Sequence, residues 1–418
     1  MAASIETLLQ SPILAGAMVR SGKTADIVDG VKPSLVVEPG TAEELAALLA
    51  WASRERLSVV FRGGGTRLAW GRPPQPIDVM ISTRALNRVL AHADGDLTAT
   101  VEAGATLDEV NAALGRCRQW LPIDGPDGAT VGGAIATNDA GPLRHRYGTP
   151  RDLMIGVQLA LADGRLIKAG GNVVKNVAGY DLGKLVSGSF GSLAAIVTAT
   201  FKLLPMPVAF HTLIATFPTG DAAARAAAAL SDSQLEPIAS EIHAVHSRHD
   251  APPYRLLVRF AGTRTAAASQ SAQARTVIGA GEILEGEAEA AAWRRYVARS
   301  AGSADTIVRI SWLPANLPQV LGLVEELGRT NRGVELIGRA AVGAGLVRIE
   351  GDLESQAAIV EQLRRSDLVA HATVRDAPLA VKQQVDTWGQ LGAAGTLASR
   401  VKRALDPAGI LNAGRGPI

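Results

Sequence analysis

The chain holds a single cysteine, Cys117, among 418 residues. A lone thiol excludes an internal disulfide, a cysteine-rich zinc site and a cysteine-ligated iron–sulfur cluster. Any electron transfer must then run through an organic cofactor or a partner. Charge of one sign is also lacking: Lys+Arg 42 against Asp+Glu 40 leaves a formal +2. No strong field favours nucleic acid or an anionic membrane, so neither is expected as a partner. Long hydrophobic runs are missing as well. The most apolar windows, such as 193–204, are interrupted or too short to span a bilayer. Met1–Gln10 has no basic start followed by an apolar core, as a signal peptide would. The expectation is a cytoplasmic protein with no transmembrane segment, peripheral to a membrane at most through partners. Hydrophobic content of 47% with 20% charged residues suits a globular enzyme, and the length suggests about two or three domains.

What the chain does have is glycine, 44 residues of it, in clusters. Phe61-Arg62-Gly63-Gly64-Gly65-Thr66 follows a short apolar run expected as a strand at 57–61. Three glycines without Cβ let successive N–H groups close on an anion, with Arg62 and Thr66 adding a cation and a hydroxyl at the rim. A second cluster, Gly125 to Asn138, places Thr130, Gly132 and Gly133 at the start of a small-residue helix. Unsatisfied N–H groups at that helix N-terminus predict a second anion site. Two such loops in one domain suit a pyrophosphate gripped from both sides.

Around them, Thr41 with Glu44 and Thr106 with Glu109 are capping-box pairs that predict helices to about Arg56 and over 106–114. Strands are expected at 78–82 and 97–103, and a hairpin of 153–162 with 166–169 about Asp163-Gly164. A long strand at 190–204 ends at Pro205 and Pro207, where composition shifts and a domain boundary is placed. Beyond it, strands at 210–217, 238–245, 254–261, 306–311, 333–338, 345–350 and 368–375 alternate with helices at 221–230, 263–278, 287–299, 317–327 and 353–365. That is a split βαββαβ-like α+β layout, which can be read twice over.

Other patterns carry less. Ser21-Gly22-Lys23-Thr24 resembles the end of a nucleotide-binding P-loop, but the required first glycine position holds Ala17 and no apolar strand feeds it. A Rossmann G-x-G-x-x-G opening a helix is absent. His243, His246 and His249 are spaced by three, yet 238–245 reads as strand, where 243 and 246 point to opposite faces. They are expected as exposed loop histidines, with no metal site. His371, alone in a strand, is expected to be structural.

Three further stretches, Ala140–Asp152, Gly170-Gly-Asn-Val-Val-Lys-Asn-Val-Ala-Gly-Tyr-Asp181 and Ser187–Lys202, complete the series. With the glycine clusters, the series resembles the flavin domain of the vanillyl-alcohol oxidase/PCMH superfamily. The run from Gly170 to Asp181 is similar to the glycolate oxidase FAD-binding (E) subunit. Asp406-Pro-Ala-Gly-Ile-Leu-Asn-Ala-Gly-Arg415 is similar to the closing segment of FAD-linked oxidases.

The resemblance implies an α+β fold in four parts. These are an N-terminal extension (1–28), a PCMH-type FAD-binding domain of two α+β subdomains (29–207), a ferredoxin-like cap (208–394) and a tail returning to the flavin domain (395–418). It implies that Arg62, Gly63, Gly64, Gly65 and Thr66 hold the FAD pyrophosphate. Gly128, Thr130, Val131, Gly132 and Gly133 would supply the opposing loop, with Asn138 and Gly141 near the flavin and Gly191, Ile196 and Val197 at the adenine end. Covalent members carry a flavin-linking histidine where this chain has Thr66, so non-covalent FAD is expected. Related 2-hydroxy-acid dehydrogenases have a histidine-rich metal-binding stretch in the cap that this sequence lacks. The implied function is therefore the FAD-binding subunit of a glycolate oxidase complex. Its partners would be a companion FAD-linked oxidase subunit and an iron–sulfur subunit. A self-sufficient oxidase of another 2-hydroxy acid or alcohol and a non-catalytic structural subunit are the alternatives. No catalytic base is identified; Arg255, Arg259 and Arg309 are candidates for a substrate carboxylate.

Overall fold

The computed structural model describes residues 16–172, 179–245, 254–300, 304–330 and 333–417. The chain divides into two compact units, one formed by Met1–Ala140, Gly148–Met206 and Gln390–Ile418, the other by Gly141–Tyr147 and Pro207–Gly389.

The first unit has two α+β layers. Strands β1 (Met18–Ser21), β2 (Leu35–Glu38), β3 (Val59–Arg62) and β4 (Val79–Ser82) form a sheet in the order β1-β2-β4-β3. β2, β4 and β3 run parallel, and β1 pairs antiparallel at the edge. Part of the expected N-terminal extension thus belongs to this sheet. The helix Ala42–Arg54 buries Leu45, Leu48, Leu49 and Trp51 at helical spacing against Val37, Val59 and Ile81. Thr41 caps it, its hydroxyl accepting from Glu44 N at 3.1 Å.

The second sheet is antiparallel, in the order β5-β6-β10-β8-β9. It comprises β5 (Val89–Ala93), β6 (Thr98–Glu102), β8 (Met154–Ala160), β9 (Leu166–Gly170) and β10 (Ala195–Lys202); β7 (Gln119–Trp120) and β11 (Leu204–Pro205) make a small separate ribbon. β8 and β9 are the expected hairpin. The long strand expected from Phe190 begins only at Ala195. Gly188 (φ 78°), Phe190 (φ 61°) and Gly191 (φ 71°) all take left-handed backbone, which an extended strand cannot continue through. The tail returns to this unit as the flavin-domain resemblance implies. Val59 N donates to Ile410 O at 2.9 Å and Asn412 N to Val59 O at 2.7 Å, so the tail extends the first sheet beside β3.

The second unit is one antiparallel sheet of eight strands in the order β15-β12-β14-β13-β17-β18-β16-β19. β12 (Ala209–Phe217), β13 (Ala239–Val245), β14 (Tyr254–Gly262) and β15 (Glu282–Glu285) alternate with helices Gly220–Ser231 and Arg264–Ile278. β16 (Thr306–Ser311), β17 (Val334–Arg339), β18 (Ala344–Ile349) and β19 (His371–Asp376) do the same with Leu317–Thr330 and Leu353–Arg365. The βαββαβ motif therefore occurs twice, and the copies join where β13 pairs with β17. These four helices share one core with Leu213, Ile242, Leu256, Val308, Leu336 and Val347. The helix Gly286–Ala298 contributes Trp293 and Tyr296 to a separate cluster with Ala239, Leu257, Ile307, Ile337 and Leu346, on the sheet's other face.

Candidate functional site

The pocket of the first unit is built on the loop leaving β3. Its lining includes Arg62, Gly63, Gly64, Gly65, Thr66, Thr130, Gly132, Gly133, Gly191 and Ile196, all expected from the sequence. The two glycine clusters touch directly. A Cβ on Gly64 would fall onto the carbonyl oxygen of Gly128, and one on Gly63 onto the Thr130 hydroxyl. Glycine is required at both positions by this close approach.

The backbone N–H groups of Gly63, Gly64, Gly65, Thr66 and Arg67 have no acceptor among the described residues. Five successive open donors along one pocket-lining loop suit an anion. The second loop differs from expectation. Val131 N donates to Ala105 O (2.9 Å), Gly132 N to Ala103 O (2.8 Å), Gly133 N to Thr130 Oγ1 (3.3 Å) and Ala134 N to Thr130 O (2.9 Å). These partners engage the N–H groups of Val131 to Ala134 within the protein, so the start of this helix is not the open N–H site expected.

Arg62 lines the pocket at the loop, with one guanidinium nitrogen engaged away from it. Its guanidinium Nη1 donates to Asp26 Oδ1 at 2.7 Å, and Asp26, 1% exposed, is gripped by Arg20 at 2.6 and 2.8 Å. The Arg20 hydrogen bond holds the Asp26 carboxyl well below the usual range, against burial, which raises it.

The remaining residues expected at the site are dispersed. Gly128 lies beside a neighbouring cleft with Arg20, Glu38 and Arg84. Val131 and Val197 are buried in the core, with Val197 O accepting from Ala103 N at 2.9 Å. Asn138 caps the helix Val131–Thr137 in left-handed conformation, its Oδ1 accepting from Arg151 N at 3.2 Å. Gly141 falls in the second unit, where its carbonyl accepts from Arg339 Nε at 3.1 Å.

Sequence reasoning passed over Arg67, Phe190, Asn412 and Arg415 as individual lining residues. Phe190 is a bulky residue held at φ 61°, a strained conformation of the kind that clusters at binding sites. The tail secures it: Asn412 Nδ2 donates to Phe190 O, and the Arg415 guanidinium lies 5.5 Å from its ring centroid. Arg415, 2% exposed, donates to Leu68 O and to Trp70 O (3.0 Å). The similarity of the tail to FAD-linked oxidases was the signal that could have named Asn412 and Arg415.

In the second unit, His243 is buried and not an exposed loop histidine. Its Nε2 meets Glu335 Oε1, and Glu335 also accepts from Arg299. His246 and His249 lie outside the described residues, as does the centre of the Gly170–Asp181 run. Among the described residues no group of three His, Cys, Asp or Glu forms a metal cluster. His371 is exposed on β19. Of the arginine candidates, Arg259 is committed to Glu289 at 2.7 Å and stacks on Phe210 and Trp293 at 4.4 and 5.4 Å; Arg255 is exposed and Arg309 half-buried. No helix among the described residues is long and apolar enough to cross a membrane.

The segment that builds much of this pocket has known relatives. Residues 33–170 match the FAD binding domain family. A D-lactate dehydrogenase of Archaeoglobus fulgidus is 39% identical over 44% of this chain and 42% of its own. The glycolate oxidase subunit GlcD of Bacillus subtilis is 34% identical over 50% and 45%. A D-2-hydroxyglutarate dehydrogenase of Xanthomonas citri pv. viticola is 28% identical over 92% and 89%. The chain thus spans less than half the length of the first two. Among solved structures, p-cresol methylhydroxylase with substrate bound superposes with a TM-score of 0.76 at 15% identity, covering 99% of this chain and 97% of that one.

The pocket's chemistry fits the cofactor. Open N–H groups suit a pyrophosphate, and the described lining residues include no His, Cys or Tyr to bond a flavin. Residues 33–170 thus form an FAD binding domain suited to FAD held without a covalent link, and the chain is related to several hydroxy-acid dehydrogenases and oxidases, not to glycolate oxidase alone.

Proposed function

We propose that this chain is an FAD-dependent oxidoreductase that oxidises the CH–OH group of a small 2-hydroxy acid. The observation that carries the reading is the row of open N–H groups from Gly63 to Arg67, inside a segment whose relatives are named for oxidation of lactate, glycolate and 2-hydroxyglutarate. Bound FAD supplies the hydride acceptor. The chain's own task is to fix that cofactor: the loop from Gly63 holds the pyrophosphate, Thr130 and the glycines beside it form the opposite wall, and Gly191 with Ile196 closes the adenine end. Phe190, pinned by Asn412 and Arg415, gives the pocket a rigid edge.

A second reading is supported by the likeness to a glycolate oxidase subunit and by the single cysteine. In it the chain serves in a multi-subunit glycolate oxidase beside a companion FAD-linked subunit, and an iron–sulfur subunit carries the electrons away. One experiment separates the two. The purified chain, saturated with FAD, is mixed with D-lactate, glycolate and D-2-hydroxyglutarate in turn, with an artificial electron acceptor. Turnover by the isolated chain supports the first reading. Turnover that requires co-expressed subunits supports the second. A flavin that no 2-hydroxy acid bleaches in either preparation refutes both.

A further inference from the structure

Arg67 directly follows the open loop and lines the same pocket, yet its side chain is only 5% exposed. Its Nε and Nη2 both donate to one oxygen of Asp139, at 3.2 and 3.1 Å, and its guanidinium lies 5.5 Å from the Trp70 ring centroid. The third nitrogen, Nη1, is buried with no hydrogen-bond partner among the described residues. A buried guanidinium nitrogen is expensive to leave unmatched, and native structures rarely do so without a ligand or water to complete the set. The group also sits where both glycine clusters meet. A Cβ on Gly125, at the head of the second cluster, would lie 3.6 Å from Arg67 Nη2, while Gly63–Thr66 immediately precedes Arg67 in the first. Asp139 holds the guanidinium by one edge and leaves the opposite nitrogen for another acceptor. Arg62, the cation that sequence reasoning placed at the rim, lines the same pocket but shares its charge with the Asp26 carboxylate through Nη1.

We propose that Arg67, and not Arg62, is the cationic side chain that binds the pyrophosphate of FAD, donating through its open Nη1 while Asp139 orients it. The assignment rests on the FAD reading above. A phosphate oxygen suits this donor because a charge-assisted hydrogen bond adds to the neutral N–H groups of the loop.

The test uses apoprotein of the full chain and two probes: FAD, and ADP, which carries the pyrophosphate without the flavin. Affinities are measured by quenching of FAD fluorescence and by displacement with ADP, and folding is checked by circular dichroism and Tm. R67M is expected to weaken both FAD and ADP by about tenfold to a hundredfold. R67K, which keeps a point charge, is expected to recover part of that loss. D139N keeps the Arg67 charge but loosens its hold, and is expected to weaken both probes by clearly less than R67M does. Equal losses in R67M and D139N would make the pair merely structural and overturn the proposal. So would an R67M loss confined to FAD with ADP unchanged, accompanied by a shifted flavin reduction potential, because the acceptor would then be the isoalloxazine. Unchanged affinity in R67M would mean that water satisfies Nη1, and would overturn the proposal as well. Wild-type protein that binds neither probe refutes the flavin reading together with this one, and so is told apart from a failure at Arg67 alone.

Discussion

The two glycine clusters of the first unit have similar composition and opposite uses. In the loop after β3 the N–H groups from Gly63 to Arg67 are left open. In the cluster that starts the helix Val131–Thr137 the N–H groups of Val131 to Ala134 are all engaged, by Ala105, Ala103 and Thr130. Open donors mark where a ligand completes the structure; engaged ones mark where the structure is already complete. Three buried sets in the second unit are closed with charged groups. Thr212, Glu289 and Trp293 form one buried set, Glu241 and Tyr296 a second, and His243, Glu335 and Arg299 a third. Burial and the Glu241 carboxylate push the Tyr296 hydroxyl well above its ordinary pKa, so it remains a donor.

The largest effect is expected where open and closed loops meet. In Gly64→Ala the new methyl would collide with the Gly128 carbonyl oxygen, a backbone atom that cannot swing aside. The loops must part, and the row of N–H groups loses its curvature. FAD affinity is expected to fall about a hundredfold, measured by fluorescence titration. Near-wild-type binding would show that the loop's shape does not depend on contact with the second cluster.

Next is Glu335→Gln, which tests whether a closed network is structural. Burial raises the Glu335 pKa, but hydrogen bonds from His243 and Arg299 outweigh it and leave the carboxyl below its ordinary 4.5. A depressed folded-state value means that the stabilisation is fully present above pH 4.5 and is lost as pH falls through the folded pKa. The variant should lose about 2 kcal/mol at neutral pH, a figure reduced because Arg299 is half-exposed. Its stability should also vary less with pH on the acid side, as denaturant melts at several pH values would show. FAD affinity should stay unchanged; a loss there would tie the network to the flavin site.

Much of this is legible in the sequence, and for identifiable reasons. The capping box at Thr106, the Asp163-Gly164 hairpin and both copies of the βαββαβ motif are local patterns that the structure reproduces; at Thr41 the hydroxyl caps the helix, but the Glu44 carboxylate accepts from Gly40 N and does not complete the box. Glycine spacing marks the loop after β3. What escapes depends on contacts distant in sequence. Asp26 takes up Arg62 across 36 positions, and Asp139 leaves Arg67 one donor open across 72. Ala103 and Ala105 engage the second loop through main-chain atoms that have no side-chain signature. His243 resembles a loop histidine because nothing near it in the sequence announces Glu335, 92 residues away. The Phe190 turn reads as strand because apolar content outweighs the glycines at 188 and 191.

Thr130→Ala probes the closed loop more gently. Thr130 is 2% exposed, and its hydroxyl accepts from Gly133 N as the helix cap. Losing the cap should cost about 1–2 kcal/mol in chemical denaturation. With the N–H groups of Val131 to Ala134 engaged within the protein, FAD affinity should drop by less than about tenfold. A larger drop would restore the second loop as an anion site.

Gly133→Ala should do least, and so is the sharpest check of the contrast. A Cβ there meets only the Thr130 hydroxyl, at 3.2 Å, and the backbone is ordinary right-handed helix. Alanine is the better helix former by about 0.8 kcal/mol, which the tight contact offsets. Stability should stay within about 0.5 kcal/mol of wild type, with FAD affinity falling far less than in Gly64→Ala. The same one-methyl change at Gly64 is expected to cripple binding. If alanine at 133 weakens FAD as strongly, then the cofactor approaches the second loop as closely as the first. In that case the engaged N–H groups of Val131–Ala134 would be a poor guide to where the ligand lies.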